Sequence, residues 1–166
     1  MNAIAAVNTL NYIGKSGALL YSIREDMAYF VSMTKGKCVV MGRKTLLSLP
    51  GGKGLKGRRN YVISRTMTEA EAAERGVTAL ASPEALLEAL DREGIPSEDV
   101  FVIGGGEIYS LLLPYCDKLY ITRVLSEDVG DVSFPAIPPS FVLHEGEEHF
   151  SEGYRYRFDT YVRQHS

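Results

Sequence analysis

Val100-Phe101-Val102-Ile103-Gly104-Gly105-Gly106-Glu107-Ile108-Tyr109 passes from four apolar residues into three consecutive glycines and then into a helical pattern. A strand that stops at glycine and opens a helix is what a pyrophosphate site requires, because free N–H groups at the helix start face the anion. The spacing nevertheless departs from the dinucleotide fingerprint GxGxxG, since Tyr109 stands where the third glycine belongs. A turn alone accounts for one glycine, whereas three in a row imply a close approach to the backbone or an unusual bend. The same logic recurs upstream in Lys37-Cys38-Val39-Val40-Met41-Gly42-Arg43-Lys44-Thr45. No GxxxxGK precedes Thr45, so this is not a Walker A loop. It fits a phosphate site or a tight strand-to-helix turn with solvated cations, and the spacing does not separate the two.

Outward from these two junctions, β-rich runs alternate with helical stretches. Strands are expected at Ala3–Val7, Lys37–Met41, Asn60–Ser64, Val77–Ala79, Val100–Ile103 and Lys118–Val124, and helices at Ile23–Thr34, Lys44–Ser48, Pro83–Arg92 and Glu107–Leu113. Such alternation implies parallel crossovers in an α/β sheet covered on both faces. In the tail, Tyr154, Tyr156, Phe158, Thr160 and Val162 alternate with Arg155, Arg157, Asp159 and Arg163. That period of two, with Ser151-Glu152-Gly153 before it, predicts a hairpin back onto Phe141–Phe150. The expected fold class is α/β: one domain over residues 1–166, with a mixed, mostly parallel sheet flanked by helices and an antiparallel C-terminal hairpin.

Composition narrows the function classes. The 166 residues are 45% hydrophobic and 23% charged with a formal charge of -3, which argues against a large nucleic-acid footprint. The longest apolar run, Ala3 to Val7, is five residues, far short of a membrane span, and no basic segment precedes it, the first Lys being Lys15. Cys38 and Cys116 lie in apolar stretches without a CxxC or Cys/His cluster, which reads as buried thiols in a reducing compartment. A cytoplasmic monomer without nucleic-acid or membrane partners is therefore expected. None of His144, His149 and His165 stands near a Cys, Ser or second His at useful spacing, so neither a metal site nor a Ser/His nucleophile is expected. There is no Trp.

Ser22 and Glu25 have capping-box spacing, which predicts Ser22 as N-cap of the first helix and places Asp26 at the fourth helical position, where an apolar residue would staple onto Tyr21. Asp26 shares a face with Phe30 and lies beside Met27 and Ile23. A carboxylate on the edge of an apolar stripe has a raised pKa, whereas an exposed first-turn acid simply complements the helix dipole. Arg58, at a strand entrance in Gly57-Arg58-Arg59-Asn60, has water as its default partner.

In this order and spacing, the segments resemble dihydrofolate reductase from Ile4 to beyond Phe158. The most specific pieces are Val40-Met41-Gly42-Arg43-Lys44-Thr45, Ile103-Gly104-Gly105-Gly106-Glu107-Ile108-Tyr109, Leu119-Tyr120-Ile121-Thr122 and Gly130-Asp131 with Phe134-Pro135. The resemblance implies NADPH-dependent reduction of dihydrofolate to tetrahydrofolate, in support of one-carbon metabolism. On the substrate side it implies Asp26 as the pterin carboxylate, backed by Thr122, with Ile4, Ala5, Met27, Leu55 and Ile103 lining the site. Phe30 matches the aromatic against the benzoyl ring, and Arg58 the partner of the glutamate α-carboxylate, a bidentate task suited to guanidinium. On the cofactor side, Ala6, Ile13 and Gly14 match the nicotinamide pocket, and Leu19 falls in the mobile loop that closes over it. Gly42, Arg43, Lys44 and Thr45 match the first phosphate-binding helix start, and Ser64 and Arg65 lie near the 2′-phosphate. Gly104, Gly105, Gly106, Glu107, Ile108 and Tyr109 match the second, with a cis Gly104–Gly105 peptide expected.

Three departures stand out. The family writes Pro-Trp and then Leu-Pro before its acid. This chain reads Leu20-Tyr21-Ser22-Ile23-Arg24-Glu25-Asp26, with Tyr21 at the Trp position and expected to share its catalytic role. Glu25 beside Asp26 leaves a register alternative. Glu107 puts a negative charge at a cofactor-phosphate helix. A pteridine or pyrimidine reductase of the same fold, and a non-catalytic folate- or nucleotide-binding relative, remain as other readings.

Overall fold

A computed structural model describes residues 1–164. The chain begins with β1 (Asn2–Asn8), β2 (Tyr12–Lys15) and β3 (Ala18–Leu19), followed by α1 (Arg24–Thr34), β4 (Cys38–Gly42) and α2 (Arg43–Ser48). Next come β5 (Arg59–Ile63), α3 (Glu69–Glu74), β6 (Thr78–Leu80) and α4 (Pro83–Arg92). The remainder is β7 (Val100–Gly104), α5 (Gly106–Leu112), β8 (Lys118–Val124), β9 (Val132–Ser133), β10 (Phe141–His144), β11 (Glu148–Ser151) and β12 (Tyr154–Arg163).

The main sheet has the order β10-β12-β8-β1-β7-β4-β5-β6, with β11 also paired to β12. From β8 to β6 every pairing is parallel, and β12 joins β8 antiparallel. The mixed α/β sheet is therefore as the alternation of elements requires. Strand periodicity divides the core between two faces. Val40, Tyr61 and Ile63 pack with Leu86 and Leu90 of α4 and Leu112 of α5, while Val39, Met41 and Val62 pack with Leu46 of α2 and Ala72 of α3. β4 is buried along its whole length. Cys38 and Cys116 are buried free thiols, and burial pushes both upward in pKa, so they act as packing groups.

Several expectations shift. Ser22 is exposed and does not cap α1; Ile23 occupies the N-cap position without a side-chain hydrogen bond. The Arg24 N–H instead donates to Glu152 Oε2 at 2.8 Å, a cap delivered from the turn before β12. The reason is packing: Ile23 is buried with Tyr21, Val124 and Tyr156, which fixes the chain's approach before any local cap can form. With Arg24 first in the helix, Asp26 is its third residue, not its fourth. The expected hairpin partner Phe141–Phe150 is two strands, β10 and β11, both antiparallel to β12. At the break between them Gly146 N–H donates to Asp159 Oδ1 at 3.0 Å, and Arg157 binds the same carboxylate, so Asp159 is buried although the alternation put it on the polar face. The strands expected at Lys37–Met41 and Asn60–Ser64 are offset by one residue. Missing altogether from the sequence reading are α3 and the small sheet β3-β2-β9.

Candidate active site

Asp26 and Thr122 come together from distant parts of the chain. Thr122 sits in the middle of β8, opposite Ala6 of β1, and its Oγ1 donates to Asp26 Oδ1 at 2.6 Å. Burial pushes the Asp26 carboxyl above the ordinary carboxylate range, while the Thr122 hydrogen bond pulls the other way. At the neighbouring position, Glu25 accepts a hydrogen bond from the Tyr156 hydroxyl on β12, so Asp26 and not Glu25 pairs with Thr122. Ring stacking of Tyr29 on Phe158 at 4.2 Å holds the next turn of α1 to the same strand. The first two turns of α1 are thus fastened to β8 and β12, and this fixes where Asp26 points.

Further along α1, Phe30 is half-buried and Met27 half-exposed. Leu55 is partly buried before β5, and Ile103 near the end of β7. Arg58 is anchored at two points: its Nε donates to Thr34 Oγ1 at 3.2 Å and its Nη1 to the Lys56 carbonyl at 2.8 Å. Its Nη2 has no hydrogen-bond partner among the described residues.

The two glycine junctions are neighbours in space, because β4 and β7 pair with Met41 opposite Gly104. Gly42 is the N-cap of α2 and Gly105 that of α5, neither with a side-chain cap, and the Gly104–Gly105 peptide is cis. A Cβ on Gly42 would lie 2.8 Å from Ile108 Cγ1, so the close approach of the two helix starts excludes a side chain there. Thr45 Oγ1 would be 3.5 Å from a Cβ on Gly104, which places that hydroxyl at the mouth of the cis turn. The donor set of both junctions, uncapped N–H groups with a hydroxyl and an exposed Lys44, suits a pyrophosphate-bearing cofactor. Ser64 and Arg65 line a groove of about 450 Å³ together with Ser82, Pro83 and Tyr115.

Three expected cofactor residues have surroundings of their own. Arg43 does not offer a free cation: it grips Glu71 of α3 with Nη1–Oε2 at 3.0 Å and Nη2–Oε1 at 2.6 Å. Tyr109 is buried, its hydroxyl donating to the Ile4 carbonyl at 2.7 Å, so it braces β1. Glu107 is exposed in the first turn of α5, beside a groove of about 630 Å³ that it shares with Asp131 and Ser110.

Above these junctions lie β2 and β3, carrying Ile13, Gly14 and Leu19. Ile13 and Gly14 are buried, and Leu19 is exposed near the tip. Asp131 holds this loop through its Oδ2, which accepts from Ser16 N–H at 2.9 Å, and through its own N–H, which donates to the Gly14 carbonyl at 2.9 Å. A Cβ on Gly130 would fall 2.3 Å from that same Gly14 oxygen, so the contact demands glycine. Tyr21 closes the base of the loop. Its hydroxyl donates to Asp128 Oδ2 at 2.9 Å and accepts from Asn8 Nδ2 at 3.2 Å. The Tyr21 hydroxyl is therefore tied to the β8–β9 connection through Asp128.

The family model described as dihydrofolate reductase matches residues 1–163. The chain belongs to the dihydrofolate reductase family. Among curated relatives, the dihydrofolate reductase of Mycobacterium tuberculosis (strain ATCC 25618 / H37Rv) is 36% identical over 165 residues, covering 96% of each chain. That of Bacillus subtilis (strain 168) is 35% identical over 168 residues, covering 98% of this chain and 94% of its own. That of Neisseria meningitidis serogroup B (strain ATCC BAA-335 / MC58) is 40% identical over 155 residues, covering 91% and 90%. As a member of the dihydrofolate reductase family the chain is an NADPH-dependent oxidoreductase that reduces dihydrofolate to tetrahydrofolate. Glu71, Asp128, Asn8 and the Glu25–Tyr156 pair escaped the sequence reading. Only Glu71 carried a local signal: Thr68 and Glu71 have capping-box spacing, and Thr68 Oγ1 does accept from Glu71 N–H.

Proposed function

We propose that Asp26 carries this reduction as the carboxylate that clasps the amidine edge of the pterin and favours protonation at its N5. The observation behind the assignment is the 2.6 Å Thr122–Asp26 hydrogen bond. It fixes a half-buried carboxylate in the first turn of α1 against β8, where water screens its charge less than in bulk. Thr122 orients that carboxylate and, by hydrogen bonding its charged form, partly offsets the upward push of burial on its pKa. Phe30 packs on the benzoyl ring, with Ile4, Ala5, Met27, Leu55 and Ile103 around it, and Arg58 takes the glutamate α-carboxylate.

NADPH, when bound, supplies the hydride. The N–H groups after Gly42 and Gly105, with Lys44 and Thr45, hold its pyrophosphate, and Ser64 and Arg65 hold its 2′-phosphate. Ala6, Ile13 and Gly14 line the nicotinamide pocket, and Leu19 shields it from water. Glu71 offsets the charge of Arg43, so Lys44 and Arg65 carry more of the cation–phosphate attraction than the motif alone suggests. We take the whole chain as one domain, a cytoplasmic monomer without nucleic-acid partners; the formal charge of -3 supports the last of these. No helix among the described residues is long and apolar enough to cross a membrane.

The test is oxidation of NADPH by the purified protein with dihydrofolate. Turnover supports the assignment. Tight NADPH binding without turnover points to a binding protein, and turnover only with another pterin or a pyrimidine points to a different reductase.

A further inference from the structure

Asp26 is preceded by a second carboxylate, Glu25, to which the proposed function gives no part. Successive positions on a helix point about 100° apart, so the two side chains reach different partners. Asp26 takes the Thr122 hydroxyl on β8, and Glu25 takes the Tyr156 hydroxyl on β12. These donors are diagonal neighbours on one sheet face: Thr122 lies opposite Phe158, two residues along β12 from Tyr156. The Tyr156 side chain is fully buried, its ring edge-on to Phe158 at 5.6 Å, and Phe158 in turn stacks on Tyr29 of α1. Burial first, and then Glu25, push the Tyr156 hydroxyl up to about 12, with Ser151 pulling weakly the other way. It therefore stays a donor throughout the neutral range. His149 of β11 stacks on the same ring at 5.7 Å and sets its Nδ1 3.9 Å from Glu25 Oε1. Arg24, the remaining charge in this turn, is paired with Glu152 instead.

We propose that Glu25 and Tyr156 are positioning residues for Asp26: their hydrogen bond, together with that from Thr122, fixes the roll of the first turn of α1 and so the aim of the Asp26 carboxylate. This deepens the role proposed for Asp26 and rests on it. One hydrogen bond from a helix to a sheet acts as a pivot, whereas two, to adjacent strands, leave no free rotation. Local capping does not supply the second, since Ile23 offers no side-chain acceptor and Glu152 reaches the helix at the exposed Arg24. A misplacement of about 1 Å can cost about 10²-fold in rate, so a smaller roll is enough to matter. Apart from Glu25, the groups that act on the Asp26 charge are the hydroxyls of Thr122 on β8, Tyr29 on α1, Tyr109 on α5 and Tyr156 on β12. All four are neutral near neutral pH, so the titration of Asp26 reports how its carboxylate is held.

The experiment compares Tyr156→Phe, Glu25→Ala, Glu25→Gln and the Tyr156→Phe/Glu25→Ala double variant with the wild type. Phenylalanine keeps the buried ring and Glu25 is half-exposed, so all four are expected to fold, as urea midpoints check. Tyr156→Phe and Glu25→Ala are each expected to lower kcat for NADPH oxidation with dihydrofolate about tenfold, at an unchanged NADPH KM. The double variant should be no slower than either single one, because both remove the same bond. Glutamine keeps an acceptor for Tyr156 and should restore most of kcat. In the free protein, NMR titration of the Asp26 carboxyl should move up in both single variants, as the Thr122 hydrogen bond loosens and burial is less opposed; loss of the Glu25 charge alone would move it down. A wild-type kcat in Tyr156→Phe, losses that multiply in the double variant, Glu25→Gln as slow as Glu25→Ala, or an Asp26 titration that stays or falls would each overturn the proposal. Should the wild type not turn over dihydrofolate, the functional assignment fails instead, and the titrations alone decide whether this pair holds Asp26.

Discussion

Replacing Gly130 by alanine is the sharpest perturbation of the β2–β3 loop, which the proposed function sets over the nicotinamide. An alanine Cβ would stand 2.3 Å from the Gly14 carbonyl oxygen and 3.1 Å from Tyr12 Cβ, more than 1 Å inside ordinary contact in the first case. The obstructing atom is backbone, so no side chain can swing aside. Relief requires β2 and the 130–131 segment to separate, which removes the Asp131 N–H to Gly14 hydrogen bond and strains the one from Ser16. Overpacking costs about 1–3 kcal/mol. A lost backbone hydrogen bond adds about 1 kcal/mol, for a total of about 2–4 kcal/mol if the loop stays docked. If the loop detaches, the global loss is smaller and the cofactor KM rises instead. Urea denaturation and steady-state kinetics on Gly130→Ala together capture both routes. An unchanged unfolding midpoint with an unchanged NADPH KM would refute the proposition that this contact holds the loop.

Tyr21→Phe removes the hydroxyl that joins Asn8 and Asp128 but no group beside the pterin; it is expected to raise the NADPH KM while leaving the pH profile of kcat in place. A displaced profile would place Tyr21 in the proton-transfer machinery. Arg43 holds the Glu71 carboxyl below its ordinary value of 4.5, so the pair stabilises the fold above that value and loses its contribution as pH falls through the lowered folded pKa. Glu71→Gln should therefore be less stable than the wild type at neutral pH and equally stable in strong acid, as read by urea midpoints across pH. Turnover should slow as pH rises, because N5 must gain a proton; a flat profile with chemistry rate-limiting would contradict the role given to Asp26.

What the sequence made legible was whatever local pattern controls. The two strand–glycine–helix junctions, the parallel body of the sheet and the period-two tail are all written in contiguous residues, and Asp26 with Thr122 follows from matching short motifs in register. What remained hidden depends on partners far away in the chain. Ser22 looked like the N-cap of α1, but burial of Ile23 sets the helix entry and Glu152 supplies the acceptor. Arg43 looked like a free cation because Glu71, twenty-eight positions later, carries no mark of its pairing. Asp159 followed the polar phase of β12 and is nevertheless buried, since a break in the neighbouring strands presents Gly146 N–H to it. Strands as short as β3 and β9, two residues each, have too few positions for any periodicity.

In the proposed function the Asp26 carboxylate drives the reaction from the first turn of α1, and Asp26→Asn removes it with little change in shape. Asparagine keeps an oxygen for the Thr122 hydroxyl and removes a charge that burial disfavours, so the variant should fold with undiminished stability near neutral pH. Its kcat for NADPH oxidation with dihydrofolate near neutral pH is predicted to fall by about 10²-fold or more, the usual consequence of losing a proton-transfer group. A folded variant with the wild-type kcat would contradict the account.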